Sequence, residues 1–311
     1  MSILHGLVIL SLVIFIAAIV ARAVRIMRTP IHLRWELYPV PHEKGRAAHG
    51  GSMLEETDWW TKSKDKDHLG ELGVMIPEIL LLKGVWEHNR KLWFSSWGMH
   101  FGLYLLIGHL ALVTLLGILG VAGLDLSTGF LSILVSLLKA LAIVGGALGL
   151  LGSVILFVMR LSDNGMKRFA SPSHFVNLIH LGAIYLTTLL WALLDPQYAL
   201  HSVGLLAGLV SFGEIPALPV VGYVNIAVVL LFFVYLPFTH MTHFFTKYFT
   251  YHEVRWEDEP NMPGGPLEGK IAAAVSQPVT WAAPHIGADG KKNWVDLVSG
   301  TGKVDDEKKE A

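Results

Sequence analysis

The stretch "WGMHFGLYLLIGHLALVTLLGILG", Trp97–Gly120, decides the fold because it carries no charged residue over its whole length. An α-helix rises about 1.5 Å per residue, so about 20 apolar residues cover the hydrocarbon core of a bilayer. A helix also satisfies its own backbone hydrogen bonds, which lipid cannot do. The stretch therefore predicts a membrane-spanning helix that carries two histidines, His100 and His109.

Four other apolar runs have the same character, and together they predict an all-α fold, a five-helix transmembrane bundle. They are Ile3–Val20, Leu131–Met159, Phe175–Leu194 and Val220–Phe245. The composition agrees, since 53% of the residues are hydrophobic and only 16% are charged. The first run lacks the positive start and the A-x-A site of a signal peptide, which predicts a retained anchor.

The placement of lysine and arginine predicts the orientation of the bundle. Basic residues follow the first, third and fifth runs, whereas Val121–Phe130 and Asp195–Pro219 contain none. By the positive-inside rule, the N-terminus lies outside and the C-terminus is cytoplasmic. We expect a multi-pass protein of the cell inner membrane.

The same reading divides the chain into four regions. Residues 1–25 form the first transmembrane helix, and residues 26–96 form a cytoplasmic loop with an interfacial helix in "ELGVMIPEILLLKGVWEHN". Residues 97–250 form a four-helix haem-binding bundle. Residues 251–311 form a cytoplasmic tail that docks a partner or is disordered. The outer loop, Asp195–Pro219, is apolar enough for a short helix against the bundle.

Several classes of function are disfavoured. The net charge of −1 gives no support to nucleic-acid binding, and the absence of cysteine excludes disulfides and thiolate-held iron–sulfur or zinc sites within this chain. The spans contain no acidic residue, which argues against a di-iron carboxylate centre, and no inverted repeat suggests a transporter.

Histidines within spans are the candidate site, because ionisable groups there are costly and usually face the bundle interior. The predicted topology places His100 and His243 at one depth near the cytoplasmic face, where two imidazoles can clamp a haem iron. His240, three residues before His243, would lie about 60° away on the same helix and rivals it. The alternative is that these histidines hydrogen-bond across helices.

A second haem would need another pair. His109 lies about 13 Å beyond His100, and His180 lies near mid-membrane, so both are candidates. Two separate hydrogen-bonding histidines are an equal alternative.

The motifs "MHFGLYLLIGH" and "LPFTHMTHFF" resemble the gamma subunit of respiratory nitrate reductase, a membrane cytochrome b. The segments "HLRWELYPVPHEKG", "GGSMLEETDWW" and "LLKGVWEHNRKLW" resemble more closely the cytochrome b subunits associated with heterodisulfide-reductase-like iron–sulfur proteins. The resemblance covers about residues 1–255. It implies b-type haem, one or two per chain, and places the inner ligands on His100 and His243.

The resemblance also implies a quinone site beside the outer haem, with Lys139 as the matching lysine. Snorkelling of Lys139 to the outer surface is the alternative. The family's two outer-haem ligands fall near His109 and near Asn225. Asparagine at the second position departs from the family pattern, so His180 is the candidate to replace that ligand. The implied function is electron transfer between menaquinone and a cytoplasmic iron–sulfur subunit. The alternatives are a haem conduit from a periplasmic multihaem cytochrome c, and a non-redox membrane anchor.

Overall fold

The computed structural model describes residues 2–28, 57, 61, 67–249 and 262–299. Most of these residues are helical. The α-helices are α1 (Ile3–Arg28), α2 (His68–Leu80), α3 (Lys83–His88), α4 (Arg90–Val121), α5 (Gly129–Ser162), α6 (Asn164–Arg168), α7 (Pro172–Leu194), α8 (Tyr198–Ser211), α9 (Val220–Tyr235), α10 (His243–Phe249), α11 (Pro266–Val275) and α12 (Trp294–Val298). The strands in this part of the chain are β1 (Ala282–Ala283) and β2 (Ala288–Asp289).

Five helices are long and apolar enough to cross a membrane, which confirms the predicted all-α fold with five spans. They are α1, α4, α5, α7 and the segment Val220–Phe238. The protein is therefore a multi-pass membrane protein, and its apolar helix surfaces are suited to contact with lipid. The chain divides into two compact units, one of Met1–Ala21 and Val74–Thr242, the other of Arg22–Gly73 and His243–Ala311.

Small residues allow three helices of the first unit to pack closely. A Cβ on Gly102 of α4 would lie 2.7 Å from the carbonyl oxygen of Gly145 on α5, and one on Gly152 would lie 2.6 Å from that of Ser95. The phenol of Tyr185, on α7, donates across this seam to the backbone carbonyl of Met99 at 2.8 Å. Close backbone approach at small residues is how membrane helices associate without a hydrophobic driving force.

The outer loop does contain a helix, α8, and it lies alongside α4. Gly117 on α4 packs against Ala207 and Leu206, while His109 contacts Tyr198. From the first contact to the second, the residue number increases by eight on α4 and by eight or nine on α8. The two helices therefore run in the same direction along the second half of α4. The core between them contains Val113, Leu116, Leu138 and Val203.

The fifth span differs from the prediction of one helix through Phe245. α9 ends at Tyr235, and two short 3₁₀ turns, Leu236–Phe238 and His240–Thr242, precede α10. Pro237 explains the break, because proline lacks the backbone N–H that a continuing helix needs and its ring clashes with the preceding turn.

The predicted interfacial helix is divided as well. α2 and α3 are separated at Leu82, whose φ of 50° is in the left-handed region. Donors from α4 bond the carbonyls at the end of α2: Trp93 Nε1 to Leu81 O at 2.6 Å and Tyr104 Oη to Ile79 O at 2.7 Å. A helix end leaves such carbonyls without partners, so these bonds hold the α2–α3 turn against α4.

Part of the tail has regular structure, although the sequence suggested little. In residues 262–299, α11 buries Leu267 and Ala274, and β1 pairs antiparallel with β2. Trp281 and Trp294 meet edge to face with their ring centroids 5.9 Å apart. These residues lie in the second unit.

Candidate functional site

His100 is half-buried on α4, and its ring is oriented by its own helix. The Nδ1–H donates to the backbone carbonyl of Ser96 at 2.7 Å. A carbonyl can only accept, so the proton is on Nδ1 and the lone pair is on Nε2. Histidines that ligate metals commonly have this arrangement, with the second nitrogen held by a backbone carbonyl. His100 therefore fits an axial haem ligand.

His109, nine residues further along α4, is used in helix packing. Its Nε2 hydrogen-bonds the phenol of Tyr198 at 2.9 Å, and the Tyr198 side chain is 1% exposed. A metal bond from Nε2 would have to replace this contact between α4 and α8. The role of His109 as an outer-haem ligand stays a prediction from the sequence.

His180 is also held by a neighbouring helix. Its Nε2 bonds the carbonyl oxygen of Val228, on α9, at 3.2 Å, and its ring stacks on Tyr235. The structure therefore places the two predicted outer ligands on different contacts, His109 against α8 and His180 against α9. Asn225, at the family's other outer-ligand position, donates to Thr187 and Thr188 at 2.9 and 2.8 Å.

His240 lies in a 3₁₀ turn beside the start of α7. Its ring centroid is 4.8 Å from that of His174, and its Nε2 is 3.2 Å from the amide nitrogen of Asn177. The Asn177 oxygen accepts from Tyr235 at 2.7 Å. The turn removes the basis for expecting His240 and His243 on one face of a continuous helix.

His243 begins α10 and is exposed. It belongs to the second unit, whereas His100 belongs to the first. Its pairing with His100 across one haem stays a prediction from the sequence.

A cationic side chain, Arg160 on α5, lies beside the half of α4 that contains His100. Ser95 Oγ contacts Met159 Sδ at 3.5 Å, which places the end of α5 beside the first turns of α4. Arg160, the next residue, has a buried Nε without a hydrogen-bond partner in the described part of the chain. Buried polar groups are normally paired, so this guanidinium suits an anion such as a haem propionate.

Lys139, on α5, reaches the end of α7. Its Nζ donates to the backbone carbonyl of Asp195 at 3.3 Å, where α7 turns into α8. The Asp195 carboxylate is 5% exposed and accepts from Trp191 Nε1 at 3.0 Å and His201 Nδ1 at 2.7 Å. This group of residues, Lys139, Trp191, Asp195 and His201, is called the Asp195 cluster.

The Asp195 carboxyl is stabilised in its charged form. Burial raises its pKa, but hydrogen bonds from His201, the Gln197 backbone and Trp191 outweigh burial and lower the pKa below its ordinary value. Sequence reasoning passed over Asp195 and His201 because they lie in an apolar loop. The available signal was an acid at the end of a span, four residues after a tryptophan and six before a histidine.

A haem needs fewer protein ligands than a chelated metal ion does. Within the residues that the structure describes, no group of three or more histidine or acidic side chains is arranged to hold a metal. A bis-imidazole haem needs only two protein ligands, and the porphyrin supplies the other four. Comparison of the chain with protein-family models, curated proteins and solved structures finds no match.

Proposed function

We propose that this chain is the membrane cytochrome b subunit of an anaerobic respiratory redox complex in the cell inner membrane. It passes electrons between menaquinone and a cytoplasmic iron–sulfur subunit of the heterodisulfide-reductase-like kind. Bound b-type haem supplies the one-electron redox chemistry, and the protein supplies ligands, orientation and charge. The observation that carries the proposal is the geometry of His100, whose Nδ1 bonds the Ser96 carbonyl and whose Nε2 has the lone pair.

One haem per chain is the proposed number, with His100 and His243 as axial ligands. Two imidazoles leave no open coordination position, which suits electron transfer rather than substrate chemistry. Arg160, in the last turn of α5, supports this site. The neighbouring Met159 contacts Ser95 on α4, and a propionate would satisfy the Arg160 Nε, which has no hydrogen-bond partner among the described residues. His240 takes the supporting role, since it contacts His174 and Asn177.

The outer half of the bundle is the proposed menaquinone side. Lys139 provides a donor within the protein, held at the Asp195 backbone carbonyl. Its ammonium is positioned to donate to a quinone oxygen if it exchanges that contact. His109 and His180 act there as packing residues, because each already bonds a neighbouring helix.

The second candidate is a membrane anchor without a cofactor. It is favoured by the packing bonds of His109 and His180, which show that histidines in this bundle do serve structure. The haem conduit from a periplasmic cytochrome c differs from the proposal only in lacking the quinone site. Quinol-driven reduction of the purified protein separates these two.

The test is the haem b content per chain, measured by pyridine haemochrome assay on protein produced with adequate haem supply. We expect one haem, reducible by dithionite and by menaquinol. Two haems would require His109 or His180 to leave its packing bond. A folded, haem-free preparation would refute the proposal in favour of the anchor.

A further inference from the structure

An open groove of about 640 Å³ runs along α8 in the outer half of the bundle. Its lining includes Gln197, His201, Gly204, Gly208, Glu214 and Pro216. The size falls within the range of small-molecule sites, and the lining is mostly small or apolar with few polar groups. The His201 ring connects this groove to the Asp195 cluster.

The hydrogen bond to Asp195 determines which nitrogen of His201 can accept a proton. The ionised carboxylate only accepts, so the 2.7 Å bond places a proton on Nδ1, and in the neutral imidazole the lone pair is then on Nε2. No described residue hydrogen-bonds Nε2. Asp195 itself is fixed by Trp191 and by the Gln197 backbone N–H, so the imidazole is held in one orientation.

This pair lies within the bundle rather than at its edge. Tyr198, three residues before His201, contacts His109, and His109 is 12 residues before α4 ends at Val121. Twelve residues correspond to about 18 Å of helix. A carboxylate that is 5% exposed is costly to bury unless it is hydrogen-bonded, and a buried acid paired with an imidazole beside a groove is a candidate functional site.

We propose that His201, oriented by Asp195, is the proton acceptor of a quinol-binding site in the groove along α8. The inference rests on the proposed function and adds a residue that binds the ligand. A neutral imidazole with its lone pair on Nε2 bonds a hydroxyl, which a quinol has and a quinone lacks. The site therefore prefers the reduced form.

The proton balance is simple. The O–H bond of a quinol hydroxyl breaks, and the proton goes to Nε2, where the negative charge of Asp195 stabilises the imidazolium. The proton of the second hydroxyl would leave to water through the open groove. The two electrons would leave one at a time, in two successive reductions of bound ferric b haem, which would supply the oxidant, and the product would be the quinone. The other ionisable groups around His201 are Glu214 in the groove, Lys139 at the Asp195 carbonyl and Tyr198 on α8.

The first test is binding, which needs no haem and no turnover. Equilibrium dialysis of the full chain in detergent would measure the Kd for 2-heptyl-4-hydroxyquinoline N-oxide, a hydroxyl-bearing quinol analogue. We expect His201→Gln to raise the Kd about tenfold, because one hydrogen bond to the ligand is lost. Asp125→Asn, which removes an exposed carboxylate outside the groove, is the control and should bind like wild type. Asp195→Asn, which keeps an acceptor for Trp191, should fall between the two.

The second readout is the pH dependence of haem reduction by menaquinol under anaerobic stopped flow. A proton acceptor contributes about 100-fold or more to rate, so His201→Gln should be slow and should lose the acidic limb of the profile. Wild-type affinity in His201→Gln, or a limb that moves with Glu214→Gln, would overturn the assignment. A haem-free protein whose binding still depends on His201 would instead refute the proposed function alone.

Discussion

The two halves of α4 hold their histidines in opposite ways. The half of α4 that contains His100, which the sequence predicts to face the cytoplasm, is called the inner half, and the half that contains His109 is called the outer half. In the inner half, α4 packs on α5 through glycines, and His100 bonds the carbonyl of Ser96 on its own helix. In the outer half, α4 packs on α8, and His109 bonds Tyr198 on that neighbour. The bond from His100 Nδ1 to Ser96 would persist if Nε2 bound a cofactor, whereas a metal bond from His109 Nε2 would have to replace its contact with Tyr198.

The largest expected effect is on haem content when each histidine of α4 is removed. We expect His100→Ala to lose the bound b haem entirely, because an axial ligand is absent, and His109→Ala to keep it. The measurement is the pyridine haemochrome assay on both variants, with gel filtration to verify that each is folded. Haem loss in both, or in His109→Ala alone, would reverse the comparison between the two halves.

The glycine seam of the inner half gives the next effect. A Cβ on Gly149 would lie closer than 3.0 Å to the Tyr185 ring, which is fully buried. We expect Gly149→Ala to destabilise the protein by about 3 kcal/mol through overpacking. The readout is the thermal unfolding midpoint in detergent.

Gly182, on α7, is the matched control because no atom lies within 4 Å of its added Cβ. Gly182→Ala should be neutral or stabilising by up to about 1 kcal/mol, as alanine favours a helix more than glycine does. Equal midpoints for the two variants would mean that the seam between α4, α5 and α7 tolerates a methyl group.

Two tyrosine-to-phenylalanine variants, one in each half, allow the strength of a hydrogen bond in the two halves to be compared. Tyr198→Phe removes the hydroxyl that meets His109 inside the bundle, and we expect a loss of about 1–2 kcal/mol since a buried ring nitrogen loses its partner. Tyr104→Phe removes a bond to Ile79 at a more exposed place, so its cost should be about 0.5 kcal/mol. Thermal unfolding of both variants measures the difference, and a larger cost at Tyr104 would contradict it.

The fold was predictable because its main determinant is local. An apolar run of about 20 residues specifies a spanning helix without reference to the rest of the chain. The five spans could therefore be located, and only details that depend on single residues differed, such as the break at Pro237 and the left-handed Leu82.

The candidate site was less predictable because it depends on contacts between distant residues. The sequence predicts different depths for His100 and His109, but it cannot show that His109 hydrogen-bonds Tyr198, which lies 89 residues further along the chain. Asp195 and His201 were missed for the same reason: their value lies in the contacts to Trp191 and Lys139. Only the tertiary structure distinguishes a packing histidine from one that can bind a ligand.

The smallest expected effect concerns acid stability, and it belongs to the outer half. Asp195 is the one buried carboxylate in the described part of the chain, and its pKa in the folded protein lies below the ordinary value. A lowered pKa means that the charged form stabilises the fold. This stabilisation is complete above about pH 4 and is lost as the pH falls through the folded value. We therefore expect the thermal unfolding midpoint to decrease when the pH is lowered below about 4.

The Asp195→Asn variant tests this expectation because its residue 195 cannot titrate. Its thermal midpoint should be lower than that of the wild type at neutral pH and should change less when acid is added. Asp125 is an exposed carboxylate whose pKa is lowered mainly by Ser127, so Asp125→Asn should keep most of the wild-type pH dependence. The opposite order would place the acid-sensitive contact outside the Asp195 cluster and remove the reason to treat the outer half as the proton-handling end.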